Sequence, residues 1–150
     1  HHEMTKKRLP LRLARACKRW QKTLWIGDWD GTFEVIEGLA EKITSDRDSA
    51  TEWTSAYSVA TQVPYKSFLV KADKEILADA TEEELDEHAC HEMVHVVLEP
   101  MKDVAESLLK NLPASKRSGY VDWLARENEG VTEHLTKVLR SIVKKRRIGH

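Results

Sequence analysis

His91, Glu92 and His95 stand in the pattern His-Glu-x-x-His. On a helix, residues four apart share one face, one turn above the other, so both imidazoles can address one metal ion. Zn²⁺ suits such a pair, because it binds histidine nitrogen at about 2.0–2.1 Å. Glu92 is one step on from His91 and is placed to address a water rather than the metal. A zinc ion acidifies such a water towards neutrality, and the carboxylate takes the proton while the metal polarises a carbonyl. The chemistry implied is metal-assisted hydrolysis, with Glu92 as general base.

A catalytic zinc ordinarily has three protein ligands and one open position, so two histidines leave the set incomplete. One known extension places a glycine three residues after the second histidine and another histidine three further on. Leu98 and Met101 occupy those places. A distant carboxylate is the other solution. Glu129 is the preferred third ligand, Glu127 the alternative, and His134 a further candidate behind both. Glu129 and Glu133 are one turn apart, so one can ligate while the other supports an imidazole. Tyr120 is a candidate donor to an oxyanion. His88, one turn before His91, is expected to be solvated, and Trp29, Trp53 and Trp123 to lie in the core.

The elements that must position these groups can be read from spacing. Thr81-Glu82-Glu83-Glu84 is a capping box, which starts a helix near Glu82 that runs through Val97. Pro100 should end or kink it. Helix resumes over Met101 to Leu109, and a polar stretch follows from Ala114 to Gly119. A last helix shows Val131, Leu135, Val138 and Ile142 on one face, and its start is open between Asn128 and Trp123. At the other end, Leu9, Leu13, Cys17 and Trp20 predict an amphipathic first helix. Thr23 to Val35 reads as strand, turn, strand about Asp30-Gly31. Trp53 to Thr61 and Ser67 to Ala72 read as two strands around Pro64, and Lys74 to Ala80 as a short helix. The order defines an α+β domain.

The chain has 150 residues, which fits a single domain with no internal repeat or linker. His1 and His2 precede Met4 and have the look of a purification-tag remnant, so residues 1–3 are set aside. The formal charge is -1, so no global field draws in nucleic acid or anionic membrane. The run Lys144-Lys145-Arg146-Arg147 has no interleaved aromatic residue and reads as a solvated helix end. Cys17 and Cys90 make no disulfide framework and are expected to be reduced and packed. There is no apolar run that would span a bilayer and no apolar signal core, which sets a cytoplasmic expectation.

Together these residues resemble the short gluzincin-like metallopeptidases, the minimal zincins of bacterial and phage proteins. The resemblance is carried by Gly27-Asp28-Trp29-Asp30 and by the acidic run into His91-Glu92-Met93-Val94-His95. Leu98-x-Pro100-Met101 and Glu129-Gly130-Val131-Thr132-Glu133-His134-Leu135 complete it. It covers about residues 9 to 143, and only the His-Glu-x-x-His element is a specific motif. It implies a small mixed sheet packed on an active-site helix, a C-terminal glutamate helix that supplies the third ligand, and hydrolysis of peptide bonds. The chain departs from the larger gluzincins in the long gap after His95 and in Gly130, which costs a helix about 1 kcal/mol relative to Ala. The expected cofactor is Zn²⁺ and the expected partner a peptide or protein substrate, laid along an edge strand at Ser67 to Ala72. Two rivals are a zincin-fold interaction protein that holds metal with little turnover, and a purely structural zinc site.

Overall fold

Leu9, Leu13, Cys17 and Trp20 are all buried, as their spacing predicts, on the inner face of helix α1 (His2–Thr23). The computed structural model describes residues 2–39 and 56–148, with side chains from Arg8 onward. After α1 come β1 (Asp30–Ile36), β2 (Tyr57–Gln62), a 3-10 turn (Val63–Tyr65) and β3 (Ser67–Asp73). Helices α2 (Lys74–Asp79), α3 (Glu82–Leu109) and α4 (Ala114–Ile148) complete the chain. The expected Trp53 lies outside the described residues.

The architecture is α+β: among the described residues, four helices and a three-stranded sheet of order β1-β3-β2. β1 runs parallel to β3, and β2 antiparallel to it. β3 is therefore central, with Phe68, Val70 and Ala72 buried on alternate positions. The expectation that Ser67 to Ala72 forms an edge is corrected, since both sides of that strand are already paired.

The reading of Thr23 to Val35 as two strands is also corrected. Ile26 N bonds Gln21 O at 2.9 Å and Trp25 N bonds Lys22 O at 3.3 Å, a Schellman ending for α1 with Trp25 at φ 60°. Asp30-Gly31 is not a turn but the start of β1, paired with Ser67 and Phe68. Gly31 is required by packing, because a Cβ there would overlap the Phe68 ring.

Thr81 caps α3 as the sequence predicts. Its hydroxyl accepts from Glu84 N at 3.2 Å and donates to the Glu84 carboxylate at 3.1 Å. The helix does not end at Pro100. That residue forgoes its own bond to the carbonyl of Val96, and the helix continues to Leu109. Nor is Ala114 to Gly119 a loop. Lys116 N and Arg117 N bond Pro113 O, while the Arg117 guanidinium donates to Lys110 O and Leu112 O, closing the turn between α3 and α4.

Three helices converge on Asp86. Trp20 Nε1 of α1 donates to one carboxylate oxygen at 3.0 Å, and Arg140 of α4 to the other at 3.1 Å. Arg140 also reaches Glu83, so the far half of α4 is tied along α3. The α4 face turned inward is only partly the one the apolar residues suggest. Thr132 and Thr136 are buried, with Leu139, Val143 and the expected Leu135 packed on the core, whereas Val131, Val138 and Ile142 are exposed. Both threonines donate to the carbonyl four residues back, Asn128 at 2.6 Å and Thr132 at 2.7 Å, which satisfies their hydroxyls inside the interface.

Candidate metal centre

α3 divides its residues between two neighbours. Leu85, Ala89, Glu92, Met93 and Val96 are buried, and between them His91 and His95 remain half-buried and meet Glu129 of α4. Glu129 belongs to the inward line of α4, one turn before Thr132, which is why it faces the histidines.

The three side chains meet through their donor atoms. His91 Nε2 and His95 Nε2 are 3.2 Å apart. Glu129 Oε2 lies 3.3 Å from His91 Nε2, and Oε1 lies 2.9 Å from His95 Nε2. A tetrahedral ion with bonds of about 2.0–2.1 Å holds its ligands about 3.3 Å apart. The observed triangle is close to that spacing, so His91, His95 and Glu129 form a group that can hold a metal ion. Among the described residues no fourth carboxylate, thiolate or imidazole joins them.

Thr132 was not among the residues singled out from sequence. Its Oγ1 lies 3.4 Å from His95 Nδ1. The single hydroxyl proton is already given to the Asn128 carbonyl at 2.6 Å. Thr132 can therefore only accept from Nδ1–H, which leaves the Nε2 lone pair of His95 directed at the metal position.

The electrostatics follow from this geometry. Hydrogen bonds from His91 and His95 hold the Glu129 carboxyl well below the usual carboxylate range. Burial pulls His91 down, but the Glu129 hydrogen bond and the charges of Glu92, Glu129 and Glu133 outweigh it and leave the imidazole raised. Glu92 is 6 % exposed. Burial raises its carboxyl, partly countered by His95 and His91. Its oxygens are not among the sealed polar atoms lacking a partner; among the described residues only Tyr57 Oη is in that position.

The remaining candidates are not brought to the ligand group. Glu127 is exposed on α4, two residues and so about half a turn from Glu129. His134 is exposed. Glu133 is half-buried and contributes charge to His91, with no hydrogen bond to either imidazole. Tyr120 is 47 % exposed, stacks with Trp123 at 6.2 Å, and sits about 13 Å from Glu129 along the helix axis.

Two expectations are corrected nearby. Trp123 is exposed, on the first turns of α4, where among the described residues the side chains are mostly exposed. His88 is not solvated: it stacks on buried Tyr57 with centroids 4.3 Å apart, and burial lowers its pKa. Cys17 and Cys90 are free and buried, as expected, with burial raising both thiols and Cys90 pushed up to about 12.

No family model matches the chain, and neither the curated proteins nor the solved structures contain a match to it. Among the described residues no helix is long and apolar enough to cross a membrane.

Proposed function

We propose that this protein is a zinc-dependent metallopeptidase of the gluzincin-like, minimal-zincin kind. The observation that carries the reading is the convergence of His91, His95 and Glu129 beside a buried glutamate that is not one of the ligands. A structural metal site has no use for Glu92 in that place, since a desolvated carboxylate is costly unless it does chemistry.

His91, His95 and Glu129 would hold the ion, with Thr132 fixing the His95 ring. Bound there, zinc would supply Lewis acidity to a substrate carbonyl and acidify water. Glu92 accepts the proton of the attacking water and returns it to the leaving amine. Burial raises its affinity for that proton, which suits a base that must hold it for part of the cycle. The ligand set also accepts other divalent ions, and zinc is the choice its two imidazoles and one carboxylate favour.

A peptide substrate would lie along β2 rather than β3. Among the described residues β2 is paired on one side only, and its first residue, Tyr57, stacks on His88 one turn before His91. An extended peptide adding to that edge would bond β2 through alternate backbone groups and leave the others free on its far side.

The test is hydrolysis of a proteome-derived peptide mixture by wild type and by Glu92→Gln. The variant should keep its zinc and lose about 10²- to 10⁴-fold in rate. Equal cleavage by both would remove Glu92 from the reaction and with it the peptidase reading.

A further inference from the structure

Residues 4–27 contain eight lysines and arginines and no acid, so the rest of a chain whose total is -1 carries a net -9. The near-neutral total conceals this polarity. α1 sends its apolar residues into the core, which leaves the cations on the solvent side. Arg8, Arg15, Lys18 and Lys22 are all exposed and spaced to share one line of the helix. Among the described residues none of the four makes an ion pair or a side-chain hydrogen bond.

Three other basic side chains are already used. Arg12 is spent on Leu77 O, Ala80 O and Glu82. Arg140 and Lys144 of α4 are held by the acids at the start of α3.

The line of free cations ends at Trp25, which is 91 % exposed. Trp25 has φ 60° at the Schellman position that glycine ordinarily fills. A large ring held in left-handed backbone and packed on almost nothing is presented to solvent rather than used for stability.

We infer that this face of α1 binds single-stranded nucleic acid, with phosphates along Arg8, Arg15, Lys18 and Lys22 and a base stacked on Trp25. Positions 15, 18 and 22 follow one another at about 4.5 and 6 Å along the axis, and Trp25 stands two residues past the last residue of α1. Phosphates of one strand recur about every 3.4 Å along a duplex and further apart when the strand is stretched. Cations in a row closed by a stacking ring are the elements of sequence-tolerant strand binding. An anionic bilayer fits less well. A helix lying in a membrane surface sinks an apolar face into the lipid, whereas the apolar face of α1 is in the core. Among the described side chains of α1, only Leu11 is a large exposed apolar residue on that line, about 16 Å along the axis before Lys22. The inference is independent of the metal centre.

The test is fluorescence anisotropy of a labelled oligothymidine with the full chain over a salt series, beside co-sedimentation with phosphatidylserine vesicles. Four phosphate contacts predict a slope of log K against log salt of about -2.8. Lys18→Glu with Lys22→Glu should reduce the slope by about 1.4 and weaken binding more than tenfold. Trp25→Ala should weaken binding about five- to 150-fold with the slope unchanged, and Trp25→Phe should restore most of it. All substituted side chains are exposed, and circular dichroism with zinc content checks that each variant folds. No binding at low salt, indifference to the charge reversals, wild-type affinity in Trp25→Ala, or binding to vesicles without binding to the oligonucleotide would each overturn the inference.

Discussion

The hydroxyl of Thr132 stands 3.4 Å from Nδ1 of His95 while giving its own proton to the carbonyl of Asn128. A residue of the helix that carries Glu129, the candidate third ligand, thus orients one of the two candidate histidines. Replacing the hydroxyl by a methyl in Thr132→Val should cost about 10- to 100-fold in zinc affinity with little change in fold. Thr132→Ser should restore most of the loss. Competition against a chelator of known affinity measures both, and equal affinity in wild type and Thr132→Val would contradict the orienting role.

The ionisation of the metal-free site sets a second expectation. Glu129 lies below its ordinary 4.5, so its contribution to stability is present above that pH and lost as pH falls through the lowered value. His91 lies above its ordinary 6.5, so its contribution is complete below that pH and lost as pH rises through the raised value. Buried Glu92 is raised from 4.5 and also loses stability as pH rises. Metal-free protein should therefore be most heat-stable between pH 4.5 and 6.5. Saturating zinc should move the optimum above that window, since the ligands must be deprotonated. Thermal melts in chelator across pH check this; a melting temperature that climbs steadily from the acid side to pH 8 would oppose it.

Gly31 faces the Phe68 ring across the parallel pair of β1 and β3. Gly31→Ala should destabilise by about 1–3 kcal/mol through overpacking. In a Phe68→Leu background the same change should cost less, because the smaller side chain yields the space. Urea denaturation of the four proteins reads the coupling, and a penalty independent of residue 68 would show that space is not the cause.

The half of the chain that carries the candidate metal ligands was legible because local signals agree there. Thr81 caps, the glutamates follow, and His91 and His95 share a face. The inward face of α4 is rotated from the one its apolar residues mark. Of those residues Leu135 packs on the core, but Val131, Val138 and Ile142 are exposed, and the inward line runs through Thr132, Thr136, Leu139 and Val143. A threonine that returns its proton to the preceding turn can occupy an interface, and hydropathy does not register this. On the correct line Glu129 falls one turn before Thr132, while Glu127 does not. The same blindness to context hid Gly31, taken for a turn residue when its role is to make room for a ring, and Pro100, tolerated inside a long helix. The basic face of α1 was visible in the composition of one segment and cancelled in the sum over the chain.

The central claim is that His91, His95 and Glu129 bind one metal ion. Elemental analysis of zinc should be run on tag-free wild type, His95→Ala, Glu129→Ala and Glu127→Ala after metal-replete preparation. About one zinc per chain is expected in wild type and Glu127→Ala, and loss in the other two. Wild type without zinc, or Glu129→Ala retaining it while Glu127→Ala loses it, would contradict the account.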